Sequence, residues 1–331
     1  MLVCKYACKT LFTSMSILKV REYLSVLGLP HAYGSLKQEL TYPISGNNMA
    51  KIIAIANQKG GVGKTTTCVN LAASLAAMEK AVLVIDSDPQ GNATMASGID
   101  KFNLECSICN VLLDDVDIRE ALITHTSGGF HLIPADEDLT EAEVKLIDKY
   151  MREVRLKNAI ALIKDNYDYI LIDCPPSLNL LTVNAMCAAD CILVPLQCEY
   201  FALEGLTLLI DTVDQLARVA NPHLRIEGIL RTMYDPRNRL AVDVSRDLEV
   251  SFGDLVYKTI IHRNVRLAEA PSFGKPVIYY DKSSKGATNY IQLASEIVEK
   301  DKLESERIAA KVRKEAAKVK KPAARPAVKT K

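Results

Sequence analysis

The fold of this chain follows from residues 59–66, which are Lys59-Gly60-Gly61-Val62-Gly63-Lys64-Thr65-Thr66. A short apolar strand is predicted just before them, over residues 52–56, and a helix is predicted to extend through residues 71–78. Glycine lets successive backbone N–H groups turn toward a phosphate without a side-chain clash, and the following helix adds its positive N-terminal end. This strand–loop–helix sequence therefore predicts a loop that binds the phosphates of ATP.

The loop departs from the ordinary phosphate-binding pattern Gly-x-x-x-x-Gly-Lys-Ser/Thr. Gln58 stands where that pattern has its first glycine, and the loop carries a second lysine. Lys64 is predicted to bridge the terminal phosphates, and the Thr65 hydroxyl is predicted to ligate Mg²⁺. Because Lys64 already fills the intramolecular role, Lys59 is predicted to point outward at the mouth of the loop. The alternative is a glycine-rich turn that carries surface lysines.

Carboxylates follow two of the predicted buried strands. Asp173 ends one apolar strand, and Asp86 and Asp88 end another. Parallel strands place their C-terminal ends at one edge of a sheet, where ligands bind. The predicted magnesium ligands are Thr65, Asp86 and Asp173, and Asp88 is predicted to orient the attacking water. An acid that merely opens the following loop is the alternative for Asp173.

Apolar strands alternate with helical segments along most of the chain. Further strands are predicted over residues 81–85, 131–134, 169–172, 191–195 and 226–232, and helices over residues 141–164 and 204–217. Continuous apolar strands between helices indicate a sheet that is covered on both faces. The predicted fold class is α/β: a P-loop NTPase with a mostly parallel twisted sheet, helices on both faces and a single domain.

Three segments differ in composition. Residues 1–48 are predicted to be an N-terminal extension that is loosely ordered or precedes the true start at Met49, with a targeting segment as the alternative. Residues 49–299 are predicted to be the ATPase domain. Residues 300–331 carry twelve basic and four acidic side chains and are predicted to be a basic Lys/Ala-rich tail. Because the whole chain has a net charge of only +1, its middle is acidic.

The composition excludes several classes of protein. Apolar residues make up 49% and charged residues 24% of the 331 residues, as in ordinary globular proteins. The nine cysteines lack the spacing of a disulfide scaffold, which favours a reducing cytoplasm. Cys106 and Cys109 stand alone, so a helix start is favoured there over a metal site. The sequence contains no run of about 18 apolar residues, so no membrane-spanning helix is predicted.

Several motifs together resemble one family. Residues 59–66 are similar to the deviant Walker A motif of the ParA/MinD ATPases, and residues 82–92 are similar to the companion motif of the ParA/Soj branch. Three further stretches resemble that branch: residues 172–177, 194–205 and 263–275. The resemblance covers about residues 50–298. The chain therefore resembles the ParA/Soj ATPases that partition chromosomes and plasmids.

The resemblance implies an ATP-dependent sandwich dimer with weak, magnesium-dependent ATPase activity. Lys59 would reach the phosphates of the partner subunit, and Gly61 would permit the close approach. Asn264 would lie near the adenine, although His262 stands two residues before it, where relatives usually have proline. The implied nucleotide-binding residues are Lys59, Gly60, Gly61, Val62, Gly63, Lys64, Thr65, Thr66 and Asn264. The implied catalytic residues are Lys59, Lys64 and Asp88.

The resemblance also implies partners. The ATP-bound homodimer would bind DNA without sequence preference, and a ParB/Spo0J-like protein on centromere-like DNA would stimulate hydrolysis. The predicted DNA contacts are Arg237, Arg263 and Arg266, because point charges suffice for sequence-independent binding. Surface ion pairs are the alternative for these arginines. The predicted location is the cytoplasm, in association with the nucleoid and without membrane binding.

Two other functions compete with DNA partitioning. A MinD-like regulator of the division site would cycle on the membrane and would need bulky apolar residues in a C-terminal amphipathic helix. Residues 308–321 contain no Leu, Phe or Trp, which disfavours this alternative. A reductase-type relative with an iron–sulfur cluster between subunits would need cysteines that face the dimer axis, and the sequence has no such pattern. The tail is either a solvated charged segment or an additional contact to nucleic acid.

Overall fold

The structure is a computed structural model that describes the backbone of residues 50–319 and the side chains of residues 50–307, 309 and 310. The predicted N-terminal extension and the end of the predicted tail, residues 320–331, lie outside the described residues. Within residues 50–319, no helix is both long enough and apolar enough to cross a membrane.

A six-stranded sheet forms the centre of the described part. Its strands are β1 Lys51–Ile55, β2 Val82–Asp86, β3 His131–Ile133, β4 Tyr169–Asp173, β5 Cys191–Gln197 and β6 Arg225–Thr232. Every pairing between them is parallel, and the strand order is β3-β2-β4-β1-β5-β6. The predicted fold class, a single α/β domain of the P-loop type with a parallel sheet, is confirmed.

Helices cover both faces of this sheet. They are α1 Lys64–Ala76, α2 Asn92–Ala96, α3 Ile108–Leu113, α4 Leu139–Lys145, α5 Arg155–Ile160, α6 Leu180–Ala188, α7 Ala202–Val219, α8 Arg239–Phe252, α9 Val265–Glu269, α10 Val277–Tyr280 and α11 Lys285–Val319. Helices α1 and α11 share a buried cluster with Ile53 and Ile55 of β1. Helices α6 and α7 share the opposite cluster with Ile52 and Ala54. Alternate side chains of β1 therefore enter different cores.

The register of the parallel strands decides which loops meet. Asp173, the last residue of β4, is paired with Ile55 at the end of β1 and with Asp86 at the end of β2. All five residues of β2 and all five of β4 are buried, so neither strand can slide without exposing apolar side chains. The loops that follow β1, β2 and β4 consequently start side by side at one edge.

Two helical predictions need correction at their boundaries. The helix through residues 71–78 begins earlier, at Lys64, because Gly63 in a left-handed conformation (φ 90°) serves as its N-cap. The helix predicted over residues 141–164 is split into α4 and α5, and between them Met151 has a φ of 53°.

Two other sequence features have clear outcomes. The helix start predicted at Cys106 and Cys109 is confirmed, since the Ser107 side chain caps α3 by accepting a hydrogen bond from Cys109 N at 3.2 Å. Helix α11 continues through residue 299, where the basic tail is predicted to begin, as far as Val319.

A buried carboxylate fixes α11 to the sheet. Glu227 in β6 is 2% exposed and forms ion pairs at 3.1 Å with both Lys51 of β1 and Lys300 of α11. The Lys300 ammonium also lies 5.6 Å from the ring centroid of Tyr257. Removing one partner of such a buried pair leaves an uncompensated charge, which is strongly unfavourable. The position of α11 is thereby tied to β1 and β6.

The contact between Gly228 and Tyr257 generates a stability prediction. A Cβ atom at Gly228 in β6 would lie 2.4 Å from Cε2 of the buried Tyr257 ring. Gly228→Ala is expected to lower the free energy of unfolding by about 1–3 kcal/mol, because the ring must repack. Gly205→Ala in α7 is the matched control: a Cβ there would meet nothing within 4 Å, and the better helix former should stabilise by about 0.5–1 kcal/mol. Urea unfolding of both variants measures the difference, and an unchanged midpoint for Gly228→Ala would contradict the prediction.

Candidate nucleotide-binding site

The loop between β1 and α1 has the backbone that a phosphate cradle requires. Gly61 and Gly63 have φ values of 72° and 90°, which residues with a Cβ rarely adopt. A Cβ at Gly61 would meet nothing within 4 Å, so the space above this residue is open. The loop leads directly into α1, whose N-terminal N–H groups favour an anion at this place.

The loop borders a cavity of about 630 Å³, a size typical of small-molecule sites. Its lining includes a polar set of residues, called the polar end below: Gly60, Gly61, Gly63, Lys64, Thr65, Thr66 and Asp88. A second set, called the base end below, consists largely of apolar or ring-bearing side chains: Met233, Ile261, His262, Val265, Leu267 and Tyr290. A polar end beside a mainly apolar end suits a ligand that joins phosphates to a flat base.

Lys64 is buried at the polar end of the cavity. Its Nζ donates a hydrogen bond to the backbone oxygen of Lys59 at 3.1 Å. Burial lowers the pKa of Lys64, and the nearby carboxylates of Asp173 and Asp88 act against that change. The Lys64 side chain is thus held inside its own loop, close to two carboxylates and to the expected position of the phosphates.

Two buried carboxylates stand side by side at the ends of β2 and β4. Asp86 is fully engaged: its oxygens accept hydrogen bonds from Thr94 N at 2.8 Å, from the Thr94 hydroxyl at 2.7 Å and from Asp88 N at 3.2 Å. The oxygens of Asp173 accept no hydrogen bond of normal geometry from the described residues. Of the two carboxylates, Asp173 is therefore the one whose oxygens are not held by such hydrogen bonds.

The environment makes both carboxylates harder to ionise. Burial raises the pKa of Asp86 to about 6, against the hydrogen bonds from Thr94. Burial and the neighbouring Asp86 raise the pKa of Asp173 well above 3.8, while the Thr65 hydroxyl and the Lys64 ammonium lower it by less. Two carboxyl groups that are buried side by side cannot both ionise freely without a compensating cation.

Thr65 and Asp173 together fit a magnesium ion. The Thr65 hydroxyl faces the Asp173 carboxylate closely enough to act on its pKa, and both groups offer the hard oxygen atoms that Mg²⁺ prefers. The described residues contain no group of three or more His, Cys, Asp or Glu that could hold a metal by themselves. That is compatible with Mg²⁺, which usually takes one or two protein oxygens and fills its remaining positions with water and phosphate. The engaged oxygens of Asp86 fit a supporting role better than direct ligation.

Asp88 borders the polar end of the cavity and is oriented by its own turn. Its Oδ1 accepts a hydrogen bond from Gln90 N at 3.0 Å, and its backbone N–H donates to Asp86. The residue is 7% exposed. One side-chain oxygen is therefore held by the loop while Oδ2 has no hydrogen bond to a described residue.

The base end of the cavity is built from segments that are distant in sequence. The Asn264 side-chain oxygen accepts from Arg266 N at 2.9 Å, so its amide group is what remains for a ligand. The His262 ring is fixed by the Asn289 amide, 3.3 Å from Nδ1, and by an edge-to-face contact with Tyr234. Met233 has a strained φ of 49°. His262 and Asn264 both line the cavity, and contact of Asn264 with an adenine base stays a prediction.

Lys59 lies apart from Lys64, at the mouth of the loop. Its side chain is 53% exposed, and its Nζ forms an ion pair with Glu199 in the loop after β5. The Lys59 ammonium is therefore outside the cradle of its own subunit.

The predicted DNA-binding arginines are exposed, and two of them are paired. Arg237 forms a two-pronged contact with Asp235 at 2.8 and 3.0 Å, and this contact, with the nearby Arg263, holds the pKa of Asp235 at about 2. Arg266 pairs with Glu269 at 2.8 Å and with Asp281 at 3.3 Å. Arg237 and Arg263 are thus neighbours beside the base end of the cavity, whereas the ion-pair alternative holds for Arg237 and Arg266 in this structure.

Several residues that shape the site were missed by sequence reasoning. The Thr232 hydroxyl at the end of β6 donates to Val62 O at 2.8 Å and ties the loop to the far strand. Asn57 donates to Pro195 O at 2.8 Å and accepts from Lys59 N at 3.0 Å. Tyr290 lines the cavity from α11. Thr232 ends one predicted strand and Asn57 follows another, and strand ends are also where the carboxylates were identified. No local pattern identifies Tyr290.

A parallel sheet with a glycine-rich loop, an internal lysine and buried carboxylates at one edge defines a P-loop protein that binds nucleoside triphosphates. Residues 50–226 match the family described as AAA domain. The sporulation initiation inhibitor protein Soj of Bacillus subtilis is 53% identical over 249 residues, which are 75% of this chain and 98% of Soj. The chromosome partitioning protein ParA of Caulobacter vibrioides is 48% identical over 257 residues, 77% of this chain and 96% of ParA.

A solved structure agrees with this assignment. Cobyrinic acid a,c-diamide synthase from Mycobacterium smegmatis, with a bound ATP analog and magnesium, is 37% identical with a TM-score of 0.66, over 75% of this chain and 94% of that one. The chain belongs to the ParA/Soj family of P-loop partitioning ATPases. The resemblance inferred from the motifs is thereby confirmed.

The raised pKa of Asp173 predicts a pH-dependent stability effect. In the unfolded chain this carboxyl titrates near 3.8, and in the folded protein it titrates higher. Below 3.8 it is neutral in both states; between 3.8 and the folded-state pKa the unfolded chain loses this proton while the folded protein keeps it, so stability falls as pH rises through that window and stays lower above it. Asp173→Asn should therefore raise the melting temperature of the nucleotide-free protein at pH 8 by a few degrees, about 2–4 °C per kcal/mol, and the gain should fade toward pH 4.

Calorimetric melts from pH 4 to pH 8 measure this effect. Asp243→Asn, which removes a 66% exposed carboxylate on α8, is the control and should show no pH-dependent gain. Equal melting temperatures for Asp173→Asn and the unaltered protein at pH 8 would contradict the prediction.

Proposed function

We propose that this chain is an ATP-dependent DNA-partitioning ATPase. It forms a sandwich dimer with ATP, binds DNA without sequence preference in that state, and hydrolyses ATP when a ParB/Spo0J-like partner stimulates it. The observation that carries the proposal is the position of Lys59. Since Lys64 occupies the cradle, an exposed second lysine at the mouth of the same loop is available to the phosphates of another subunit.

The surroundings of Lys59 support a second subunit at this edge. Gly61 leaves open space above the loop, which would let another backbone approach. The neighbouring loop after β5 presents Tyr200 and Phe201, which are 75% and 69% exposed. Large apolar side chains beside a functional site are typical of an association surface.

The residues at the polar end of the cavity support phosphoryl transfer to water as the reaction. Lys64 would neutralise the terminal phosphates, and Thr65 and Asp173 would hold Mg²⁺. Bound Mg²⁺ supplies charge compensation for the leaving phosphate oxygens. Asp88 would accept a hydrogen bond from the attacking water through the side-chain oxygen that its own turn does not use. Hydrolysis that depends on a single orienting carboxylate would be slow and would serve as a timer for the dimer.

DNA binding would come from the arginine cluster beside the base end of the cavity. Arg237, Arg263 and Arg266 are exposed. Arg237 pairs with Asp235 two residues before it, and Arg266 pairs with Glu269 of its own helix and with Asp281 after α10. Exposed ion pairs are weak, so DNA phosphates can replace those acids. A dimer presents two such clusters, which raises the effective affinity only when ATP is bound. This supports an association with the nucleoid.

The relatives give the biological direction of the proposal. Soj and ParA carry names that refer to sporulation control and chromosome partitioning, and this chain covers nearly their full length. The competing function, a MinD-like membrane cycle, would require an amphipathic C-terminal helix with bulky apolar residues, and residues 308–321 have no Leu, Phe or Trp.

Co-sedimentation with random-sequence duplex DNA tests the function. We expect at least tenfold greater retention with ATP than with ADP or no nucleotide, because only ATP would join two arginine clusters. Lys64→Ala should abolish the ATP effect by removing the phosphate contact, whereas Lys157→Ala, an exposed lysine on α5, should not. Equal retention with ATP and ADP would exclude the proposed switch.

A charge reversal tests the DNA surface. Arg266→Glu is expected to reduce DNA retention about tenfold or more while ATP-dependent dimerisation persists, because it places an acid against DNA phosphates. Lys145→Glu is a matched control, since Lys145 also pairs with an acid on its own helix, Glu141, but lies on α4. If Arg266→Glu bound DNA as well as the control at the same salt concentration, the DNA surface would lie elsewhere.

A further inference from the structure

Lys59 and Glu199 face each other because of how two neighbouring strands end. Strands β1 and β5 are paired in parallel, so the loops that follow them start at the same edge. Asn57 joins the loop after β1 to the end of β5 by donating to Pro195 O at 2.8 Å and accepting from Lys59 N at 3.0 Å. The backbone of Lys59 is therefore held at a set distance from the turn that carries Glu199.

The turn after β5 is closed by its own backbone hydrogen bonds. Glu199 N donates to Gln197 O at 2.8 Å, and Ala202 N donates to Glu199 O at 3.0 Å. These bonds hold the Glu199 backbone in place, and its side chain forms an ion pair with Lys59 Nζ. Both side chains remain about half exposed, at 44% for Glu199 and 53% for Lys59.

We infer that Glu199 is a positioning residue that holds Lys59 within its own subunit and thereby opposes ATP-dependent dimerisation. The inference rests on the proposed role of Lys59 at the partner's phosphates. In the separate subunit Glu199 is the carboxylate partner of the Lys59 ammonium. In the dimer the more highly charged phosphates of the other subunit compete for the same ammonium and displace Glu199. Dimerisation therefore includes the free energy of breaking two Lys59–Glu199 pairs.

The exposure of the Lys59–Glu199 ion pair determines how strongly it can change the dimer dissociation constant. An exposed ion pair changes an equilibrium constant by up to about fivefold. Because two pairs break in each dimer, the dissociation constant of the dimer should be up to about 25-fold higher with Glu199 than without its charge. An effect of this size adjusts the ATP and protein concentrations at which the dimer forms without preventing its formation.

The test is the dimer dissociation constant of Glu199→Gln, measured by sedimentation velocity with a non-hydrolysable ATP analogue. We expect several-fold tighter dimerisation, up to about 25-fold, with an unchanged affinity of the separate subunit for ADP. The gain should be smaller at high ionic strength, because salt already weakens the exposed pair. Glu204→Gln removes an equal charge five residues away, from a side chain that forms no ion pair with any described residue, and should leave the dissociation constant unchanged.

A double variant separates this role from a general charge effect. In Lys59→Ala/Glu199→Gln, the second change should give no gain over Lys59→Ala alone, because Glu199 has nothing left to hold. Unchanged or weaker dimerisation of Glu199→Gln, or an equal gain without Lys59, would overturn the inference. The proposed function fails separately if Lys59→Ala alone dimerises as tightly as the unaltered protein.

Discussion

The buried carboxylate of Asp173 is the group around which the rest of the site is organised. It ends β4 between β1 and β2, so parallel register places it next to Asp86 and below the phosphate loop. A charge in this position is unfavourable by itself, and Lys64 compensates for it only in part. The loop glycines, the helix N-terminus and the Thr65 hydroxyl converge on the same place. The sheet edge is consequently arranged for a ligand that brings both negative phosphates and a divalent cation.

The walls of the cavity depend on contacts between segments that are far apart in the chain. Thr232 at the end of β6 holds the loop through Val62, and Tyr290 enters from α11 and contacts Thr67 at 3.1 Å. Helix α11 can supply that side chain because Glu227 fixes it to β1 and β6. The base end of the cavity therefore depends on the packing of α11 against the sheet. The core and the nucleotide site are parts of one cooperative structure.

Burial separates the interactions that must persist from those that the proposed cycle must exchange. Glu227 is buried and ion-paired with Lys51 and Lys300, and Asp86 is buried and hydrogen-bonded to Thr94, so breaking their contacts would be strongly unfavourable. The pairs that involve Lys59, Arg237 and Arg266 are exposed and lie on loops or short helices. Exposed pairs contribute little and can be replaced by phosphate groups of ATP or DNA. The protein thus keeps its rigid contacts inside and its exchangeable contacts at the edges that would meet a partner.

Local sequence alone determined the fold class and the centre of the site. Continuous apolar strands, the glycine spacing of the loop and an acid at the end of a strand are short-range patterns, and they identified Lys64, Thr65 and Asp173 correctly as neighbours at one sheet edge. The tertiary structure decided which groups are already engaged. Asp86 accepts a hydrogen bond from Thr94, Lys59 forms an ion pair with Glu199, and Arg237 forms an ion pair with Asp235. Two of these contacts lie only a few residues apart, but whether they form depends on loop conformation. The pairing of Lys59 with Glu199 joins residues 140 positions apart. It exists only because β1 and β5 align in parallel, and strand alignment is a property of the whole sheet that no local pattern encodes.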